Sequence, residues 1–412
     1  MEGTVKKKKE GVRDDNAQHA VFNKQVPFFV PSFSEAEERA VCDVLRSGWI
    51  TTGTQALAFE KEFAAYVGAP YACAVNSATS GLLLTFDAMG IGPDSKILTS
   101  PYTFVSTASS ALHLGAQVVY ADIERDSYNI SAECVEACLK KDARIRAIVP
   151  IHIAGNVCNM RDLNALARKY QVAVVEDAAH AFPSKTACGY AGTLSHAGVF
   201  SFYATKPLTT GEGGMVCTND AKLAARIACL RSHGIDRAIW DRYTNGTAPW
   251  RYDVTSLGWK CNLPDILAAI GRVQLQKAAH LFAQRARIAA AFTRAFSRYE
   301  FFCTPPDGDG NAWHLYLLRL VPGTLSVSRD EFVRLLQERG LGVSMHFIPH
   351  FEMTFFKKSL CVRAEDFPEC AHKYQHTLTL PLWPGMDDSC VAYVIETVVR
   401  TAQECAKGRA YI

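Results

Sequence analysis

The sequence of 412 residues has no uninterrupted apolar stretch long enough to span a bilayer, which excludes a helical membrane anchor within it. It also lacks a C-x-x-C pair and any Cys/His cluster at zinc spacing, so no metal site is expected. Fourteen cysteines are nevertheless present, spread from Cys42 to Cys405, several inside apolar runs such as YACAVNS and GGMVCTND. Cysteines so placed are small buried hydrophobes in a reducing compartment, and a cytoplasmic protein is expected. Excess charge of one sign is missing too: Lys+Arg 44 against Asp+Glu 41 leaves a net +3. That near balance gives no reason to expect nucleic acid or an anionic membrane as partner. The opening stretch, MEGTVKKKKEGVRDDNAQHA, has a basic run with no apolar segment after it, so no signal peptide is expected.

What is present is the composition of a globular chain, 49% apolar and 21% charged, at a length that suits two domains. Residues 1–25 are charged and aperiodic and read as a disordered tail. A large domain is expected over 26–280 and a smaller α+β domain over 281–412. Ser34 and Glu37 form a capping box ahead of a helix that Gly48 stops. Seven short runs then read as strands, at 71–76, 96–100, 117–123, 146–153, 172–177, 198–203 and 214–218. Helical patterns at 79–90, 104–115, 131–141 and 159–171 separate most of them. Such alternation predicts an α/β fold: a mostly parallel sheet of about seven strands with helices on both faces. The last two runs have no helix between them, which predicts antiparallel neighbours and a mixed sheet. Farther on, a long helical pattern runs over 263–299, followed by a strand in WHLYLLRL, a helix capped by Ser328 with Glu331, and a strand in VSMHFI.

In open α/β sheets ligands sit beyond the carboxyl ends of strands, and four features fall there. In VNSATSG, Ser77, Ala78 and Thr79 open a helix whose free amides suit a phosphate, with plain N-capping by Ser77 the competing reading. In VVEDAAH, Asp177 ends an apolar strand, two alanines leave room for something flat, and His180 follows. A buried carboxylate there needs a cation or several donors. In FSFYATKPLTTGEGG, Lys206 sits where an apolar strand runs into a glycine-rich turn, with Ser201 five residues before it. In SPYTFVST, Phe104 could cover a planar ligand or be a core ring. Together these suit a flat cation carrying a phosphate and an aldehyde, which describes pyridoxal 5′-phosphate (PLP). A lysine bonds its aldehyde and an acid pairs with its ring nitrogen. A carboxylate at about 4 Å and an effective dielectric near 20 is worth roughly 4 kcal/mol, or about three pKa units, enough to keep that nitrogen protonated.

These motifs, in this order, resemble the DegT/DnrJ/StrS sugar aminotransferases, fold-type I PLP enzymes acting on nucleotide-linked keto-sugars. SGWITTG, VNSATSG, SPYTFVST, EDAAHAF, FSFYATKPLTTGEGG and GWKCNLPDILAAIGRVQL carry the resemblance, which extends over nearly the whole chain from Pro27. Within the family the likeness is greatest to members that aminate a UDP-4-keto-pentose; a 4-keto-6-deoxyhexose is the neighbouring substrate class. The resemblance implies that Lys206 is the Schiff-base residue, Asp177 the pyridinium partner, and His180 a neighbour of the ring where many relatives have glutamine. It implies that Phe104 and Ala179 cover the two ring faces and that Ala78, Thr79 and Ser201 hold the phosphate. Asn262 would reach the phosphate from the other subunit, so that a homodimer shares its active sites and 234–262 is an interface element. Glutamate is the implied amino donor. Thr51, Thr52, Gly53 and His346 are candidates for substrate contact. SPYTF and HIAGNVCNM depart from the pentose enzymes. The alternatives are the same chemistry on a dTDP- or GDP-linked 3- or 4-keto-sugar, and a non-catalytic regulator on the same scaffold; the full Lys/Asp/Ser/Asn set argues for the enzyme.

Overall fold

A computed structural model describes residues 25–236, 252–306 and 310–407. The expected tail lies almost wholly outside these residues, as does the central part of the 234–262 segment. The first helix, α1 (Glu35–Ser47), begins as its sequence dictates. Glu37 accepts hydrogen bonds from the Ser34 amide at 2.9 Å and hydroxyl at 2.7 Å, and Gly48 ends the helix at φ +75°. Helix α2 (Thr54–Val67) follows.

All seven expected strands form one sheet: β1 (Tyr71–Val75), β2 (Lys96–Thr99), β3 (Gln117–Tyr120), β4 (Ile145–Ile148), β5 (Ala173–Asp177), β6 (Ala197–Ser201) and β7 (Gly214–Thr218). Their spatial order is β1-β7-β6-β5-β4-β2-β3. Only β7 runs against the rest, paired antiparallel with both β1 and β6. This is the mixed sheet that the helix-free connection predicts. Between these strands stand α3 (Ala78–Ala88), α4 (Val105–Leu112), α5 (Ala132–Lys141) and α6 (Met160–Tyr170), with α7 (Ala221–Leu230) after β7. Strand alternation divides the burial between two faces. Val75, Val175, Val199 and Val216 enter one core with residues of α3 and α7. Ala74, Phe200, Met215 and Cys217 enter another with residues of α2. The strands β6 and β7 therefore read as nearly continuous apolar runs because both their faces are covered.

The helical pattern over 263–299 is two helices, α8 (Asp265–Gln276) and α9 (Ala278–Phe296), broken at Lys277. Helix α8 packs against α1 and α2 and joins the core that α2 shares with the large sheet, while α9 contributes Ile288, Phe292 and Phe296 to a separate C-terminal core. That core backs a three-stranded antiparallel sheet, β8 (Phe302–Cys303), β9 (Tyr316–Leu320) and β10 (Thr377–Leu380), and includes residues of α10 (Arg329–Glu338). VSMHFI is not a strand. Only Ser344 pairs with the sheet, through two backbone bonds with Thr379, and the chain then leaves to carry His346 and Phe347 toward the large sheet. None of the fourteen cysteines is disulfide-bonded. Among the described residues no cluster could hold a metal ion and no helix is long and apolar enough to cross a membrane.

Candidate active site

The site lies beyond the carboxyl ends of β1, β5 and β6. At its first end, Ser77 is the N-cap of α3 and accepts a hydrogen bond from the Ser80 amide at 3.1 Å. The amides of Ala78 and Thr79 have no acceptor among the described residues. They form a helix N-terminus with donors to spare. Gly214 opens β7 directly against them: a Cβ there would stand 2.8 Å from the Ala78 nitrogen and the Ser77 carbonyl carbon. Gly214 also pairs with Val75 on one side and Ser201 on the other. The Ser201 hydroxyl thereby arrives beside α3, where it accepts a hydrogen bond from the Tyr203 amide at 3.3 Å. Asn262 bridges Val75 through its backbone, and its side-chain amide donates to the Thr52 hydroxyl at 2.6 Å. Within its own chain this side chain thus faces the 51–53 loop. Asp265 fastens that loop, accepting the amides of Gly53 (2.7 Å), Ala56 (2.9 Å) and Gln55 (3.1 Å). Thr51 remains exposed.

At the second end, Asp177 closes β5 and is buried. Its carboxylate accepts the Thr107 hydroxyl at 2.8 Å and the Ala179 amide at 3.2 Å, and it has no ion pair among the described residues. Burial pushes its carboxyl up; the two hydrogen bonds, then the charge of Lys206, act against that shift. Lys206 follows β6 in a turn closed by its amide on the Tyr203 carbonyl at 2.9 Å. Desolvation lowers its ammonium to about 8, and Asp177 pulls the other way. His180 is buried, and its Nδ1 accepts the Ala154 amide at 3.3 Å, so the proton of the neutral ring is on Nε2. Ala154 makes that bond from a left-handed backbone, φ +60°. The His180 ring stacks on Phe347 at 5.2 Å and meets His314 edge-on at 4.5 Å. His346 bonds Thr379 at 3.1 Å and is lowered to about 4, chiefly by burial and then by Lys206. Phe104 is 55% exposed, 6.1 Å from Phe347, and Ala179 is half-buried.

Three important partners escape a reading by motif. His314 ends with Nε2 3.5 Å from the Lys206 nitrogen, and Phe347 forms part of the same wall. Glu176, beside Asp177, is fully buried and has a different set of contacts. It accepts the Gly192 and Leu194 amides at 2.7 Å each, the Ser195 hydroxyl at 2.9 Å, and His152 Nε2 at 2.9 Å. His152 Nδ1 accepts the Cys158 amide at 3.1 Å, which places the ring proton on Nε2. The signal for Glu176 was a carboxylate inside an otherwise apolar strand, which must be satisfied by donors. For His314 the signal was a histidine inside WHLYLLRL.

Comparison with known proteins finds the profile of the DegT/DnrJ/EryC1/StrS aminotransferase family matching residues 31–399. The chain is 40% identical over 379 residues to the spore coat polysaccharide biosynthesis protein SpsC of Bacillus subtilis, covering 91% of this chain and 97% of that one. Among solved structures it is similar to Helicobacter pylori PseC, an aminotransferase involved in the biosynthesis of pseudoaminic acid. The TM-score is 0.85, with 27% identity, 92% of this chain covered and 100% of that one. It is similar also to Spr1654 of Streptococcus pneumoniae, assigned as a sugar aminotransferase and solved in a PLP form. There the TM-score is 0.86, with 26% identity, 93% of this chain covered and 100% of that one.

Proposed function

Since the chain belongs to the DegT/DnrJ/EryC1/StrS aminotransferase family, we propose that its site moves an amino group from glutamate to a nucleotide-linked keto-sugar, with PLP as cofactor. A UDP-4-keto-pentose or 4-keto-6-deoxyhexose is the substrate class. The observation that carries this reading is that Asp177 ends β5 and Lys206 lies in the turn that follows the neighbouring strand β6. Among the described residues the acid has no ion-pair partner, and the amine is poised near neutral pH. SpsC is named for polysaccharide biosynthesis and PseC for that of pseudoaminic acid, and a sugar acceptor accords with both.

The residues fit the cofactor. Ala78 and Thr79 offer unspent amides, Gly214 leaves room for close approach, and the Ser201 hydroxyl stands beside them. These groups would hold the phosphate, joined in a homodimer by Asn262 of the partner subunit. Asp177, held in orientation by Thr107 and the Ala179 amide, would face the ring nitrogen. Ala179 and Phe104 would cover the two faces, and His180 would present Nε2–H at the ring edge. PLP supplies an aldehyde for amine exchange and a ring that accepts the electrons of a broken C–H bond. Lys206, with its amine lowered toward neutrality, would serve as the base that carries a proton between the two carbons flanking the transferred nitrogen, a 1,3-shift, in each half-reaction. Thr51, Thr52, Gly53 and His346 would meet the sugar or its nucleotide.

The test combines colour with turnover. Purified protein given PLP is expected to show a visible absorbance band that Lys206→Ala loses. With glutamate and a series of UDP-, dTDP- and GDP-linked 3- and 4-keto-sugars, at least one member should yield 2-oxoglutarate. A protein that stays colourless with PLP would refute the enzyme and favour a regulator on this scaffold.

A further inference from the structure

His314 has no role in the account so far, yet it is the side chain nearest in hydrogen-bonding terms to the Lys206 nitrogen. Its Nε2 lies 3.5 Å away, the outer edge of hydrogen-bond distance, as is common before a ligand tightens a site. The ring is buried, and its Nδ1 has no hydrogen-bond partner among the described residues. Its backbone is pinned from two sides. The His314 amide donates to the Ala154 carbonyl at 3.1 Å, the same Ala154 whose amide binds His180. The His314 carbonyl accepts Arg285 Nη1 at 3.3 Å, and that guanidinium also binds the carbonyls of Trp313 (3.3 Å) and Leu382 (3.0 Å). Trp313 itself adopts φ +48°. So much fixation of one turn positions the imidazole rather than merely filling space.

The groups that bear on this ring are Lys206 from the β6–β7 turn, His180 after β5, Arg285 from α9 and His346. Burial first, then the charges of Lys206 and Arg285, keeps the ring neutral. Arg285 is lowered to about 9 by burial and remains charged at neutral pH. A neutral imidazole can donate from Nε2 to a free amine. With its proton on Nδ1 it can instead accept from an ammonium. Asp177 as a carboxylate only accepts, and the ring nitrogen of His180 that could accept is already engaged with Ala154.

We propose that His314 is a positioning residue for Lys206, holding the lysine nitrogen whenever that nitrogen is not bonded to cofactor. The proposal rests on the reading of Lys206 as the cofactor lysine, but its test needs no cofactor. In cofactor-free protein, trace labelling of Lys206 with acetic anhydride, read by mass spectrometry of its peptide, reports the ionisation midpoint of the amine. In the wild type the midpoint is expected near 8. A hydrogen bond to the charged form favours that form. His314→Phe should therefore lower the midpoint by about one pH unit, while His314→Gln, which can both donate and accept, should stay within about 0.3. Where His314→Phe fails to fold, by circular dichroism, His314→Asn is too short to reach and carries the same expectation. An unchanged midpoint overturns the proposal. So does a rise toward 10.4, which would mean that the ring only excludes water. Failure of the visible band in wild-type protein would instead sink the cofactor reading and leave this measurement standing.

Discussion

Glu176 and Asp177 are adjacent acids at the end of one strand, and their environments give them opposite duties. Glu176 receives four donors, which fix the 192–195 loop under β6. Asp177 receives two donors and no ion pair among the described residues, so much of its burial is uncompensated. Glu176→Gln turns one acceptor oxygen into a donor facing N–H or O–H groups. We expect a loss of about 3 kcal/mol in urea unfolding, since buried charge-assisted bonds are worth about 1.5–3 kcal/mol each and orphaned donors cost more. Asp177→Asn can keep its oxygen on the Ala179 amide and donate its NH2 to the Thr107 hydroxyl, whose own proton can turn to Thr103 at 2.8 Å, and it removes an uncompensated buried charge. Its unfolding midpoint should be no lower than that of the wild type, while PLP-dependent turnover falls by orders of magnitude. Comparable destabilisation by both changes would show that the two acids share one structural role. The sequence distinguished Asp177 by its place before two alanines. It could not separate the duties of the two acids, because the donors to Glu176 come from residues sixteen to nineteen positions later and from His152.

Strand-to-helix junctions carry the site at the scale of elements, and glycine decides how closely they meet. A Cβ on Gly214 would contact backbone atoms of Ser77, Ala78 and Phe200 at 2.8 Å, and backbone cannot swing aside as a side chain can. Gly214→Ala must push the α3 N-terminus away from Ser201. We expect PLP affinity, by absorbance titration, to fall at least about tenfold, with about 2 kcal/mol of stability lost. Affinity equal to wild type would place the phosphate elsewhere. The seven strands of the large sheet were legible because each is a short β-branched run with a turn at each end. The break at Lys277 was not, since apolar periodicity continues across it while the two helices serve different cores. VSMHFI has a strand's composition but only one residue pair in the sheet. Thr377–Leu380 takes the third position beside β9 through four paired residues. Pairing partners, not local pattern, settled that choice.

At the scale of the whole molecule, the site gathers residues from well-separated stretches: the 51–53 loop, the end of β1 with α3, Phe104 and Thr107 at the start of α4, the residues after β5, those after β6, Asn262, the 311–316 approach to β9, and the 343–348 segment. Arg285, buried with three carbonyl acceptors, ties α9 to the 311–316 segment that borders this site and to Leu382, just after β10. Whether Asn262 serves its own site or a neighbour's is open to a direct measurement. Co-assembled Lys206→Ala and Asn262→Ala chains would restore one intact site in each mixed dimer if Asn262 crosses the interface. With random mixing that is about a quarter of wild-type turnover. If Asn262 acts within its own chain, beside the Thr52 hydroxyl it already binds, mixing restores nothing beyond the Asn262→Ala value.

The sequence by itself determined the alternation of strands and helices, the antiparallel reversal at β7, and the placing of Asp177 at the end of one strand and Lys206 just beyond its neighbour. All of these follow from local periodicity and from where polar residues interrupt apolar runs. Only the tertiary structure decided which histidine meets Lys206, which acid stands without an ion-pair partner, and how near β7 comes to the α3 N-terminus. Those depend on contacts between residues well separated in sequence, from sixteen positions for Glu176 and Gly192 to more than a hundred for Lys206 and His314, whose burial and electrostatics no local pattern encodes.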